Sequence, residues 1–302
     1  MLRIFFGTVT LAATVRLATP ILIASVGSCF SHKIGTFNIA YECFMLFGAF
    51  FAAYGSWLTG SPAVGALCAT LSGVVLAAVF GIFVFHLNAN PMIVSIALNL
   101  GAWAVTTLLL TVIWGVRGTF ISPDIISFKP LKLPIQGGLA YLGEIFGNHI
   151  ILVYIAYVMV FVAAVLMYRT SFGLRIRGIG INSIAAETAG INVLRYKWAA
   201  LIIMGASVGF SGAYLSLSGL NSFSENMTAG RGFIAFASTL VGDGNPLICG
   251  AIAVIFVYAD ALTLTLASLG YPTQLTKMLP YLAVLLVLMV GGIRNIKNQS
   301  TI

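Results

Sequence analysis

The chain has 302 residues, of which 60% are hydrophobic and only 7% are charged, and its mean hydropathy is +1.06. Because soluble domains carry about 25% charged residues, this composition excludes a water-soluble globule and predicts a protein surrounded largely by membrane lipid. The net charge of +8 does not indicate a nucleic-acid partner, since the basic residues are scattered between long apolar runs, where such charges set membrane topology.

Eight apolar runs have about the 20 residues that a membrane-spanning helix needs. In chain order they cover residues 4–30, 38–58, 62–86, 92–115, 150–168, 198–220, 246–269 and 275–292. Four of them have a proline near the start, where its missing N–H costs least, namely Pro62, Pro91, Pro246 and Pro272. The first run is too long for the core of a signal peptide and contains Arg16, so we expect a retained helix.

A further apolar piece, at 233–241, is too short for an ordinary span. The sequence therefore predicts an all-α membrane bundle of about eight to nine transmembrane helices, one of them short or broken, in a single domain over residues 1–302. Small residues recur every four positions in two of the runs, at Ala69, Gly73, Ala77 and Gly81 and at Gly205, Gly209 and Ala213. Such spacing favours close packing of helices in lipid.

Two long connections set the predicted topology. Residues 116–149 contain prolines and charges of both signs, which indicates an ordered external loop. Residues 169–197 contain five basic residues and one acidic residue, a local charge of +4, so the positive-inside rule places them in the cytoplasm. The N-terminus then lies outside. The C-terminal tail lies inside only if 232–242 crosses as part of a broken helix rather than dipping in and returning.

The sequence lacks the common enzyme motifs, including the GxxxxGK[ST] phosphate loop, HExxH and GxSxG. Its four cysteines form no CxxC pair and no cluster with histidine; they are Cys29, Cys43, Cys68 and Cys249. We therefore predict no catalytic residue, no metal site, no disulfide framework and no cofactor.

The cytoplasmic run 172–197 contains the pattern of a short capped helix. Asn182 suits the N-terminal cap, and Gly190 suits the left-handed position that ends a helix. A short helix with a small-residue face fits a groove on a partner protein, whereas the alternative is an ordinary amphipathic connector. The residues that we expect to couple the chain to a partner are Asn182, Ala185, Ala186, Glu187 and Gly190.

From Gly178 to Asn192 the chain resembles the coupling segment of the branched-chain amino-acid and sugar type of ABC-transporter permeases. The shared elements are Arg177, Gly180, Asn182, Ala185–Ala186 and Ala189–Gly190–Ile191, while Ile181 replaces a usual acidic residue. Residues 18–50 resemble the first two helices of that family, although Ala40 and Cys43 replace usual glycines. Residues 226–246 are most similar to its nucleoside-type permeases.

The resemblance, which runs from about residue 17 to about residue 291, implies a complex in the bacterial inner membrane. A second related permease would pair with this chain, and two ATP-binding subunits would bind the coupling segments. An extracytoplasmic solute-binding protein, often lipid-anchored, would deliver the solute. Nucleosides are the first expected substrate, followed by simple sugars such as ribose and then by branched-chain amino acids.

Polar side chains inside apolar spans mark either function or a structural contact. Those that we expect along the translocation path are Asn38, Glu42, Asn99, Arg231 and Asp260. Asn38 and Glu42 lie four residues apart and would share one helix face, which lines the path or ties the helix to a neighbour.

Asp260 would orient a sugar hydroxyl or pair with Arg16. Asn99 is suited to hydrogen bonding with a base or a hydroxyl. Arg231 precedes the short piece 233–241, so it lies either at the start of a half-helix that builds a solute site or in a plain turn.

Two other functional classes remain open from the sequence. A proton-driven carrier would use Glu42 or Asp260, but it does not need the basic, capped run 172–197. A membrane enzyme would need clustered His, Asp or Glu side chains on facing helices, a pattern that the sequence does not contain.

Overall fold

The computed structural model describes residues 7–132, 140–219, 221–268 and 289. In that part of the chain the helices are α1 Thr8–Lys33, α2 Tyr41–Thr59, α3 Pro62–Gly81, α4 Pro91–Trp114, α5 Ala140–Phe146, α6 Ile151–Arg169, α7 Ser171–Ile181, α8 Ser183–Thr188, α9 Val193–Leu217, α10 Arg231–Val241 and α11 Pro246–Ser268. The strands are β1 Thr119–Ile121, β2 Pro130–Lys132, β3 Asn148–Ile150 and β4 Ser222–Ser224. One π-helical turn, Ile82–His86, extends α3.

Six described helices are long and apolar enough to cross a membrane, namely α1, α3 with its extension, α4, α6, α9 and α11. Helix α2 has 19 residues and is largely buried inside the bundle. Helix α10 has only 11 residues. The expected membrane helix bundle with one short helix is therefore confirmed. Its count of eight to nine helices stays a prediction, because the run at 275–292 lies outside the described residues apart from Met289.

Four strands of three residues each accompany the helices, and the described chain stays mostly helical. Strand β1 pairs antiparallel with β4, with Phe120 opposite Phe223, and β2 pairs antiparallel with β3. Strands β1, β2 and β3 lie within the predicted external loop 116–149, and β4 follows α9. Backbone N–H and C=O groups outside the helices still need hydrogen-bond partners, and these short strand pairs supply them.

Helix α9 lies at the centre of the bundle. In its most apolar stretch 78% of the residues are buried, whereas in that of α4 only 17% are buried. A Cβ atom on Gly73 would lie 2.0 Å from the Gly205 carbonyl oxygen, and one on Gly209 would lie 2.5 Å from the Ala69 oxygen. Only residues without a larger side chain let α3 and α9 approach so closely, so the packing predicted from the small-residue spacing is confirmed.

The described residues 221–241 form a broken segment within the bundle. The amide of Phe128, in the predicted external loop, donates to the Leu217 carbonyl at the end of α9. The turn after α10 lies against His32 and Lys33 at the opposite end. Between these ends the described residues 221–241 form β4, several turns and the short helix α10. The preferred crossing of 232–242 as part of a broken helix stays a prediction, since α10 itself has only 11 residues.

Candidate functional site

The predicted coupling segment, residues 172–197, has the local structure that its sequence indicates. Helix α8 begins after Asn182, whose side-chain oxygen accepts a hydrogen bond from the Ala185 amide at 3.0 Å. Gly190 ends it with a φ of +80°, and the Ile191 amide closes the end by donating to the Ala186 oxygen at 3.1 Å. This is the left-handed helix end that glycine favours.

The exposed side of the coupling segment is more apolar than the predicted residue set suggests. Ile181 is 88% exposed and Ile184 is 73% exposed, whereas Ala186 is buried against the rest of the chain. Ala186 therefore packs α8 onto the bundle, and the two isoleucines provide the outward apolar surface. Sequence reasoning missed this role of the isoleucines, although the replacement of an acidic residue by Ile181 was a visible signal.

Helix α7 touches the turn after α1 at one narrow point. A Cβ atom on Gly180 would lie 2.0 Å from the Lys33 carbonyl oxygen. Gly35 turns the chain there with a φ of +72°. The equivalent atom on Gly178 would meet nothing within 4 Å. The coupling segment and residues 32–35 are thus in direct backbone contact at Gly180.

The same turn holds the far end of α10. Lys33 Nζ lies 3.0 Å from Asp243 Oδ2, and His32 Nε2 lies 3.3 Å from Asp243 Oδ1. Partial burial raises the pKa of the Asp243 carboxyl, but the hydrogen bonds from Lys33 and His32 outweigh that effect, so the pKa is lowered from its ordinary value. The Asp243 side chain is 85% exposed, so solvent screens this contact and limits its strength.

Glu42 holds the near end of α10. Its two carboxylate oxygens accept hydrogen bonds from the Gly230 amide at 2.7 Å and from the Gly232 amide at 2.8 Å. A Cβ atom on Gly232 would lie 2.5 Å from the Glu42 amide nitrogen, so glycine alone permits this approach. A carboxylate at a helix N-terminus also interacts favourably with the helix dipole. Glu42 therefore fixes the backbone on both sides of Arg231.

Asn38 and Glu42 do not share a helix face, contrary to the sequence prediction. Helix α2 begins only at Tyr41, and the Asn38 side-chain oxygen accepts a hydrogen bond from the Ala40 amide at 2.7 Å. Short amide side chains compete with the helix in this way, by bonding the backbone two residues on. The side chain of Asn38 is buried among the bundle helices.

Asn99 is engaged with the same irregular stretch. Its oxygen accepts from the Cys43 amide at 3.0 Å, and its nitrogen donates to the Ile39 carbonyl at 3.1 Å. Ser95, one turn earlier on α4, accepts from the Ile39 amide at 3.1 Å. Both side chains form hydrogen bonds with backbone groups around the non-helical stretch inside the bundle. Proteins embedded in lipid require such partners, because no water reaches these groups. The geometry favours a structural role for Asn99.

A cavity of about 560 Å³ lies between α1, the end of α9 and the start of α10. Its polar lining consists of Arg16, Tyr214, Ser218, Ser222, Ser224 and Arg231. Arg16 is exposed and Arg231 is half-buried. Within the described residues neither arginine has a carboxylate within 4.0 Å, so the predicted pairing of Arg16 with Asp260 is not observed. Asp260 is half-buried on α11, within electrostatic range of Arg231.

The predicted residues thus separate into three places. The coupling residues lie at the end of the bundle that carries Lys33. Asn38 and Asn99 hold the non-helical stretch before α2. Glu42, Arg231 and Asp260 lie around the start of α10. Tyr214, Lys33 and Asp243 belong to these arrangements but were not predicted, because their partners are distant in the sequence.

A family model described as the permease component of branched-chain amino acid transport systems matches residues 10–288. The guanosine ABC transporter permease protein NupQ of Bacillus subtilis is 28% identical over 287 residues, which cover 91% of this chain and 89% of the relative. The nucleoside ABC transporter permease protein NupC of Lactococcus lactis is 28% identical, covering 90% of this chain and 88% of the relative.

A glucose ABC transporter permease, TsgC13 of Haloferax volcanii, is 31% identical over 88% of this chain and 80% of the relative. Among solved structures, a metal-chelate type ABC transporter in an inward-facing conformation matches with a TM-score of 0.50 and 12% identity. The match covers 96% of this chain and 85% of that one. At that identity the likeness concerns the fold alone.

Proposed function

Because the chain belongs to the family of permease components of branched-chain amino acid transport systems, we propose that it is the membrane permease of an ATP-driven importer for nucleosides. The family resemblance identified from the three sequence motifs is confirmed by the match over residues 10–288. Permeases of this family are transport subunits, and a separate subunit hydrolyses ATP.

Nucleosides are the proposed substrate for two reasons. The stretch 226–246 is most similar to nucleoside-type permeases, and two of the relatives are permeases for guanosine or nucleosides. Glucose is the second candidate, since a glucose permease is similarly related. The proposed partners are a second permease, two ATP-binding subunits and an extracytoplasmic solute-binding protein, assembled in the bacterial inner membrane around the single domain formed by residues 1–302.

The observation that carries the proposal is the position of residues 32–35. This turn contacts the coupling segment at Gly180 and the far end of α10 at Asp243, and Glu42 contacts the near end of α10. Docking of an ATP-binding subunit on α8 would therefore act, through Gly180 and Lys33, on the helix that carries Arg231. Transport by alternating access needs such a connection between the ATPases and the solute path.

The proposed coupling residues are Asn182, Ala185, Ala186, Glu187 and Gly190. Asn182 and Gly190 set the ends of α8, and Ala186 seats it on the bundle. Ala185 and Glu187 are exposed beside Ile184, where an ATP-binding subunit would touch them. Along the proposed path, Arg231 and Asp260 would meet solute, whereas Glu42, Asn38 and Asn99 would hold the backbone around them.

Uptake of labelled nucleosides into vesicles tests the proposal. The vesicles would carry this chain with its second permease, ATP-binding subunits and solute-binding protein, with and without ATP. Gly190→Arg is the test variant, and Gly115→Arg at the end of α4 is its matched control. Both glycines have positive φ, +80° and +69°, and neither Cβ position meets an atom within 4 Å, so the two variants carry similar backbone strain.

We expect ATP-dependent uptake that is lost with Gly190→Arg and largely kept with Gly115→Arg. Uptake that needs no ATP and survives both changes would favour a proton-driven carrier and refute the coupling role of α8. Uptake of glucose with no uptake of nucleosides would keep the mechanism and change the substrate. Loss of uptake in both variants alike would trace the effect to strained helix ends, not to docking.

A further inference from the structure

The cavity between α1, α9 and α10 has the size and lining of a small-molecule site. Its volume of about 560 Å³ lies within the range of about 300–1,000 Å³ typical of ligand pockets. It lies where the chain passes from the end of α9 through β4, at the same end of the bundle as the predicted external loop. Leu17, Pro20 and Met227 supply apolar wall between its polar groups.

Arg231 presents one free edge of its guanidinium. Its Nη1 donates to the Met227 carbonyl at 3.0 Å and to the Thr228 carbonyl at 3.3 Å. These bonds hold the group in place and leave the Nε–H and Nη2–H donors, for which the described residues contain no hydrogen-bond acceptor. Two parallel N–H groups match a partner that offers two adjacent acceptors.

Two arginines and several hydroxyl groups line the cavity, and Asp260 lies within electrostatic range of Arg231. Arg16, the second arginine, is exposed and lies beside Tyr214, on which both arginines act electrostatically. The hydroxyl groups of Tyr214, Ser218 and Ser222 supply further donors and acceptors at the cavity wall.

We propose that this cavity is a solute-binding site within the permease and that Arg231 determines its specificity, reading the adjacent C6 oxygen and N7 of a 6-oxopurine nucleoside. Those two atoms form the acceptor pair to which arginine binds in guanine recognition. The apolar wall would receive the base, and the hydroxyl-bearing residues would receive the ribose. This inference rests on the proposed nucleoside importer and adds the group that selects among nucleosides.

Uptake of guanosine and of 7-deazaguanosine, which lacks the N7 acceptor, tests this assignment in the complete complex. The same solute-binding protein would be used at saturation throughout, so that a change in the ratio of the two rates reports on the permease alone. Arg231→Lys keeps the positive charge and removes the two parallel N–H donors of the guanidinium. Arg117→Lys, at an exposed position outside the cavity, is the matched control.

We expect the preference for guanosine to fall on the order of tenfold with Arg231→Lys, the scale of one bidentate contact to a base, and to be unchanged with Arg117→Lys. An unchanged ratio in the Arg231→Lys complex overturns the assignment and leaves the importer intact. Equal wild-type rates for the two nucleosides overturn it without any variant. If guanosine monophosphate competes more strongly than guanosine, Arg231 binds phosphate and the assignment to the base is overturned. If no nucleoside is taken up at all, the proposed function itself is refuted.

Discussion

The contact between Gly180 and Lys33 gives the sharpest test of how the coupling segment acts on the bundle. With Gly180→Ala, the new Cβ atom would lie 2.0 Å from the Lys33 oxygen, while ordinary contact begins at 3.4 Å. The helix and the turn must therefore separate by about 1.4 Å, the difference between these two distances. With Gly178→Ala on the same helix, the new atom meets nothing within 4 Å.

Both variants gain helix propensity, worth about 0.5–1 kcal/mol for glycine to alanine. Only Gly180→Ala also suffers overpacking, which typically costs about 1–3 kcal/mol. We expect the free energy of unfolding of the two variants to differ by about that amount. We also expect the Gly180→Ala complex to hydrolyse ATP while moving severalfold less solute per ATP. The Gly178→Ala complex should keep the wild-type ratio.

The assay is uptake and ATP hydrolysis measured side by side in proteoliposomes, after copurification has established that each complex assembles. Equal stability and equal solute moved per ATP in the two variants would refute the reasoning, because the contact would then transmit nothing. Loss of both assembly and hydrolysis with Gly180→Ala alone would assign the contact to folding and not to transmission.

Three further changes test the supports of α10 and of the bundle. Glu42→Gln removes the charged acceptor of two backbone amides, and since hydrogen bonds to charged groups contribute about 1.5–3 kcal/mol, thermal denaturation should show a loss of that order. The same change at Glu225, which accepts from the Gly118 amide at 2.9 Å in a more exposed hydrogen bond, should have a smaller effect. Equal losses would contradict the special role of Glu42. Lys33→Asp or Asp243→Lys alone should lower the solute moved per ATP, and the double swap should restore part of it. Because the Asp243 side chain is largely exposed, the stability effect should stay at about 0.2–1 kcal/mol. No recovery in the double swap would argue against the contact. Gly73→Ala should reduce the yield of folded protein, since its Cβ atom would lie 2.0 Å from a backbone oxygen of α9.

Features whose partners are near in sequence were predictable, and features with distant partners were not. The capped helix α8 depends on Asn182 and Gly190, eight residues apart, so the sequence contained both of its ends. The pairing of Lys33 with Asp243 joins residues 210 positions apart, and no local pattern indicates it. Asn38 is a third case. The apolar run 38–58 predicted a helix from residue 38, but the Asn38 side chain bonds the Ala40 amide and the helix begins only at Tyr41.

The small-residue rows were predictable for a different reason. Helices approach closely in lipid where small residues recur on one face, and the four-residue spacing of the rows that contain Gly73 and Gly209 is visible in the sequence itself. The arginine cavity had no such signature, since its lining comes from a few residues on each of several elements that are distant in the sequence. Of its polar lining, only Arg231 was expected along the path, from the glycines that flank it.

The two supports of α10 lie in one short stretch, since Lys33 and Glu42 are only nine positions apart, while α10 comes from the other end of the chain. These stretches are therefore expected to change together as related permeases diverge. A chimaera that takes residues 32–42 from one relative and 230–243 from another would break both attachments at once. One that exchanges the two stretches as a pair would keep both attachments of α10 intact.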